Sequence, residues 1–309
     1  MVKPERPELF YQQQIGTLSD IALALKNRRT WVSWGRVVLI LLLIYLVVTL
    51  WPTGIASLLM AVVPVLIGFG LLVSYTVGLD EKILHNKLLR QINEEELAAL
   101  KNRYPAAFDG AAYIHRLGSS GNDLDVFGPS GLYPFVNRAF TEPGRDLMAT
   151  WFSTTPAKEE VLQKQGAVKA LRDQPEWRQQ LQAYSMRNPV TINALNTINA
   201  WLDTKGKSFD SPFWWIIRFL VPAIAWITVI VYWLDYIPDG AFNITMLLIL
   251  AFAFWIGKLI SGEYGKLSRI VSELESFGYL LQTVEEGQFS DTYLQSLQKK
   301  LENKTSRSD

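Results

Sequence analysis

Cysteine is absent from all 309 residues, and histidine occurs only as His85 and His115. The first absence excludes disulfides, thiolate zinc sites and cysteine nucleophiles together. The second leaves almost no material for a histidine metal cluster or a Ser-His-Asp triad. An excess of charge of one sign is also missing. Thirty Lys and Arg stand against 29 Asp and Glu, a formal charge of +1, so no global basic field argues for nucleic acid and any DNA contact has to be local. The first 30 residues, with Lys3, Glu5, Arg6, Glu8 and the Gln12-Gln13-Gln14 run, lack the early apolar core of a cleavable signal peptide. Period-two alternation is missing over any useful length, which argues against exposed strands.

What the chain has in quantity is apolar sequence, gathered in four blocks. Val37 to Trp51 and Ile55 to Val77 flank the short turn Pro52-Thr53-Gly54. A bilayer core needs about 20 apolar helical residues, and the first block reaches that length only by including Trp31, Val32 and Trp34. Pro64, Gly68 and Gly70 inside the second block suit a membrane helix better than a soluble one. Phe213 to Ile237 and Ala241 to Ile260 repeat the arrangement around the turn 235–240, with Trp and Tyr toward the block ends. The pattern predicts an all-α, polytopic membrane protein with four transmembrane helices in two hairpins. Its segments are 1–36 amino-terminal, 37–77 first hairpin, 78–212 helical domain, 213–260 second hairpin, and 261–309 helices with a polar tail.

Orientation follows from the flanks. Lys26, Arg28, Arg29, Arg36, Lys82, Lys205, Lys207, Lys258, Lys266 and Arg269 occupy one set of segments, while both hairpin tips lack Lys and Arg. Both termini and the middle region are therefore expected on the cytoplasmic side of the membrane. Arg218, near the start of the third block, is expected to snorkel back to the headgroups.

In the middle region Leu84, Leu88 and Ile92 recur at helical spacing, and residues 109–122, rich in Gly, Ser and Ala, read as a loop. Thr141-Glu142-Pro143-Gly144 punctuates a turn between two short helices. Thr155-Pro156 reads as the cap of the next helix, Asp173-Gln174-Pro175-Glu176 as a capping box, and Asn188-Pro189 as the start of the last. Past the fourth block Leu267, Ile270, Val271, Leu274, Phe277 and Leu281 keep the helical period, so one long helix is expected to leave the bilayer.

The run from 122 to 156 carries a family resemblance. Asp123, Leu124, Asp125, Phe127, Gly131, Leu132, Asn137, Arg138, Thr141, Gly144, Arg145, Leu147 and Trp151 fall in the order found at the start of the core domain of MutS family proteins. With its apolar flanks the chain resembles the membrane-embedded MutS-like proteins of bacteria. Ala139 departs from the pattern, standing where many members carry Thr, and Glu142 separates a Thr and a Pro that are usually adjacent.

The resemblance implies a helical core coupled to an ATPase module, with ATP and magnesium on that module and a family role in mismatched-DNA binding. No residues here supply a phosphate loop of the form Gly-x4-Gly-Lys-Ser/Thr. The nearest match, Gly206-Lys207-Ser208, has Trp201 where the first Gly would stand, and it reads as a basic turn. The ATPase module is thus expected in a carboxy-terminal half or on a partner chain, and a homodimer is a further expectation. These residues call for no cofactor of their own, and their one required partner is the lipid bilayer.

Paired carboxylates read as solvated or capping groups: Glu94-Glu95-Glu96 near a helix start and Glu159-Glu160 after the Thr155 cap. The candidate interaction residues are Asn137, Arg138 and Arg145. The two arginines suit either an ion pair fixing two helices, with Asp125 or Glu142 as partner, or a phosphate or ATPase contact. The alternative to a MutS-like role is a non-catalytic membrane scaffold. A small-molecule transporter is a third class, resting on Arg218 alone.

Overall fold

The computed structural model describes residues 7–103, 108–117, 124–203, 212–234 and 236–305, and every regular element among them is helical. Ten α-helices follow in order: α1 Pro7–Leu50, α2 Ile55–Ala99, α3 Leu132–Val136, α4 Glu142–Ser153, α5 Lys158–Arg172, α6 Pro175–Arg187, α7 Ile192–Asp203, α8 Pro212–Trp233, α9 Asp239–Glu285 and α10 Thr292–Thr305. Short 3-10 turns occupy Trp51–Thr53 and Ala111–Leu117.

Four of these helices are long and apolar enough to cross a membrane: α1, α2, α8 and α9. Their apolar stretches are almost wholly unburied by protein. Val38, Leu41, Tyr45 and Val48 of α1 are all more than half exposed, which water would penalise and hydrocarbon would not.

The helices do not end where the hydropathy does. α1 holds 44 residues, about 66 Å at 1.5 Å per residue and twice a bilayer core. It passes through position 36 without a break, as α2 passes through 77 and α9 through 260. Intrahelical hydrogen bonds form in water and in lipid alike, so a change of solvent is no reason for a helix to stop.

The chain forms two compact units, one holding the residues up to Pro189 together with those from Ser276, the other Val190–Glu275. In the first unit α1 and α2 lie side by side and antiparallel. Leu39 Cδ1 faces Gly68 and Leu72 Cδ1 faces Gly35, within 3.8 and 3.4 Å of where a Cβ would stand. Farther along, Arg29 pairs with Asp80 at 2.6 Å and Asn86 donates to the Leu18 carbonyl at 3.1 Å. α6 then packs on α2 through Leu88, Ile92 and Ala183.

A second cluster gathers Phe127, Tyr133 and Ala149, with Tyr113, Leu117 and Phe152 against it. Tyr113 and Leu117 belong to the 3-10 turn at 111–117, so part of the expected loop is an ordered wall of this core. Gly131 sits beneath it at φ −78°. Its reason is proximity: a Cβ there would lie 2.6 Å from the Val126 carbonyl oxygen.

Caps settle several helix starts. Thr141 Oγ1 accepts from Gly144 N at 3.3 Å and caps α4. The expected caps of the next two helices are corrected. α5 starts from Ala157, not Thr155, and Gln174 at the start of α6 makes no side-chain cap, so the capping box does not form.

In the second unit α7 begins at Ile192, later than Asn188-Pro189, because Thr191 Oγ1 accepts from Ala194 N at 3.1 Å. The buried Glu273 carboxylate of α9 accepts from both Thr191 N and Thr191 Oγ1. Tyr232 closes the turn between α8 and α9, donating to Asp239 at 2.9 Å and stacking on Phe242.

Candidate functional site

Two of the three sequence-derived residues, Asn137 and Arg138, lie at a cleft in the first unit. Past α3 the chain runs extended, because Asn137 stops the helix at φ −65°, ψ 123°. Its Oδ1 accepts from Ala139 N at 3.0 Å, a local turn that competes with helix and fixes residues 137–139. That geometry aims Arg138 at α2.

There the guanidinium meets Glu96 as a fork. Nε donates to one carboxylate oxygen and Nη2 to the other at 3.1 Å, while Nη1 donates to the carbonyls of Phe135 (3.0 Å) and Asn137 (2.9 Å). The ion pair therefore exists, but its partner is Glu96 rather than Asp125 or Glu142. Burial disfavours the Arg138 charge, yet the hydrogen bond and charge of Glu96 outweigh it and hold the pKa above its ordinary value.

Glu94-Glu95-Glu96 is a further correction, since these residues lie in the last turns of α2 and not near a helix start. The dipole is unfavourable to acid there, and each carboxylate has local compensation: Arg90 on Glu94 at 3.0 Å, a Gln91 amide on Glu95 at 2.7 Å, and Arg138 on Glu96.

Two cavities share Arg138 as a wall. The larger, about 520 Å³, runs between Tyr11 of α1, Glu96 of α2, and Trp177, Arg178 and Gln182 of α6. The smaller, about 200 Å³, lies against Gln91, Glu95, Phe108 and Asn137. Arg145 does not join Arg138. Its guanidinium lies 4.0 Å from the centre of the Phe108 ring, a cation–π contact, and reaches the smaller cavity only through that ring.

Sequence reasoning missed the groups that hold the cleft together. Asn93 and Gln179, both buried, exchange amide hydrogen bonds at 3.2 and 2.9 Å between α2 and α6. His85 Nε2 lies 2.6 Å from Gln180 Oε1, and its ring stacks on Tyr184, which stacks on Tyr279. The available signal was Asn86 and Asn93, seven residues apart beside the Leu88 and Ile92 face.

Among the described residues no three His, Asp or Glu side chains converge as a metal site. Gly206-Lys207-Ser208 and Asp123 lie outside the described residues.

Replacing Glu96 by Gln keeps its shape and removes its charge. The Arg138 side chain is about one-third exposed and Glu96 one-fifth, so the cost falls between that of a surface pair and a buried one, about 1–2 kcal/mol. Thermal unfolding of the full chain in micelles measures it. An unchanged midpoint would show that the fork contributes nothing net.

No family model, no curated protein and no solved structure matches this chain.

Proposed function

We propose that this chain is a membrane-anchored MutS-like module whose helical part couples to an ATPase carried outside these residues, in a family role of ATP-dependent mismatched-DNA binding. One observation carries the coupling: α1 and α2 each contain both an apolar, lipid-suited segment and a wall of the cleft, Tyr11 on one and Glu96 on the other. A movement at either end of a continuous helix is felt at its other end.

Both termini and the central helices lie on the cytoplasmic face of the inner membrane in this reading, with the apolar helices paired as two hairpins. The distribution of Lys and Arg supports the side. The membership of the α1 start, α3 to α6 and α10 in one compact unit supports placing them together.

A second reading, a scaffold without nucleotide or DNA role, is favoured by the Arg138 fork, whose donors face Glu96 and two carbonyls and leave little for a phosphate.

Gentle solubilisation of the full chain followed by mass spectrometry, with titration of matched and mismatched duplexes at 50–200 mM salt, separates the two. Coupling predicts an associated chain bearing a phosphate loop and tighter, salt-dependent binding to the mismatch. Flat titrations at low salt with no such partner would leave the scaffold.

A further inference from the structure

The arginines at the membrane end of α1 remain unexplained by the cleft. A bilayer core is crossed by about 20 helical residues. Counted from the turn at Trp51–Thr53, that places the far boundary near Trp34 on α1 and near Ser74 on α2. The pairing of the two helices agrees with this level, since Gly35 faces Leu72 at 3.4 Å.

At that level the surface of α1 is built of guanidinium, hydroxyl and indole. Arg29, Thr30, Ser33, Trp34 and Val37 line a recess of about 220 Å³. Trp31 and Trp34 are 78% and 61% exposed, as amphipathic rings are where headgroups meet chains.

The charges there are only partly met. Arg29 pairs with Asp80, Arg36 Nη2 donates to the Ser33 hydroxyl at 3.1 Å, and Arg28 rests 5.6 Å over the Tyr75 ring. The neighbouring Glu81 already serves Arg187 at 3.1 Å. Of the three arginines only Arg29 pairs with a carboxylate and lines the recess itself, while Arg36 reaches the recess through its hydrogen bond to Ser33. With apolar Val37 directly below, the recess matches a phosphate whose ester carbons continue into hydrocarbon.

We propose that the Arg28–Arg36 segment of α1 binds the phosphate of an anionic phospholipid, with Asp80 competing for Arg29. The site rests on α1 crossing a bilayer and is independent of any ATPase or DNA partner. Phosphate-fork geometry favours Arg for this task, and each basic residue near an anionic surface contributes about a fivefold affinity gain.

The full chain in neutral micelles is titrated with phosphatidylglycerol, phosphatidylcholine or inorganic phosphate, and bound lipid is read by native mass spectrometry with thermal midpoint alongside. Saturable, stabilising binding of phosphatidylglycerol alone is expected. Arg36→Gln and Arg28→Gln should each weaken it about fivefold, while Asp80→Asn should tighten it.

The Asp80 variant keeps the test decisive if an arginine variant loses its helical circular dichroism, because a merely structural Asp80 would give weaker binding on removal. Equal response to phosphatidylcholine, reproduction by free phosphate, or an unchanged titration in Arg36→Gln would each overturn the site. Failure of the chain to enter bilayers would instead overturn the membrane reading beneath it.

Discussion

Tyr133→Ala should be among the most damaging single substitutions in the described part of the chain, lowering stability by about 3–5 kcal/mol, while Tyr133→Phe should cost about 1 kcal/mol. Tyr133 is fully buried, and its ring lies 5.3 to 6.1 Å from those of Phe127, Tyr113 and Phe152. Its backbone N–H and carbonyl hold Val126 and Asn137, and its hydroxyl donates to the Arg145 carbonyl at 3.1 Å. Truncation to Ala opens a cavity at the centre of the aromatic cluster, whereas Phe loses one hydrogen bond only.

The hydroxyl gives this prediction a pH signature. Burial, reinforced by Tyr113, pushes the Tyr133 phenol from its ordinary 10.0 up to about 12. The folded protein therefore holds this proton more tightly than the unfolded one. Its contribution is fully present below pH 10 and is lost as pH rises toward about 12. Each pKa unit is worth about 1.4 kcal/mol, so the advantage of Tyr over Phe should vanish near pH ~11. Urea unfolding of both proteins in micelles between pH 8 and 11.5 measures the difference, in which other titrating groups cancel. A gap that stays constant across that range would show that the phenol is not held neutral by the fold.

Why the sequence reveals Ile92 and hides Tyr133 is a matter of period. Leu88 and Ile92 lie four apart on a long helix, and both are buried where that spacing puts them. Tyr133 sits in a helix of five residues, too short for any periodicity, with its neighbours drawn from a 3-10 turn and from α4. The apolar blocks were legible by composition, and four helices long and apolar enough to cross a membrane match them. The extent of α9 was legible as well, from the helical period that Leu267 to Leu281 keep past the fourth block. That of α1 and α2 was not, since hydropathy reports the solvent around a helix and not its hydrogen bonding.

At the cleft, Asn137 was marked only by the family pattern and Arg138 also as a cation suited to an ion pair, while the Asx turn at Asn137 was not foreseen. Glu96 was not legible as the partner, because 42 residues separate it from Arg138 and only the return of the chain onto α2 pairs them. Gly131 shows a middle case. It was visible as a residue in a motif, but its cause, the close approach of the Val126 carbonyl, appears only in three dimensions.

The contact between α2 and α6 should depend on a reciprocal amide pair. Asn93 is fully buried and Gln179 nearly so, and each donates to the other while Asn93 also donates to the Leu89 carbonyl at 2.8 Å. Asn93→Leu strands the Gln179 amide in an apolar contact beside Ile92 and Ala183, and should cost about 2–3 kcal/mol. Adding Gln179→Met removes the stranded group as well, so the double variant should recover most of that loss.

The double-mutant cycle separates this account from simple loss of packing. Independent contacts give losses that add, whereas a mutually satisfied pair gives a coupling of about 1–2 kcal/mol. α2 is the helix that carries Glu96 and continues into the apolar stretch, and α6 carries Trp177, Arg178 and Gln182 on the opposite wall. Asn93→Leu should therefore also loosen the cleft, raising hydrogen exchange in α6 while leaving the apolar part of α2 protected. Additive losses, or exchange spread evenly over both helices, would mean that α2 and α6 are held by their apolar contacts alone and that the amides are bystanders.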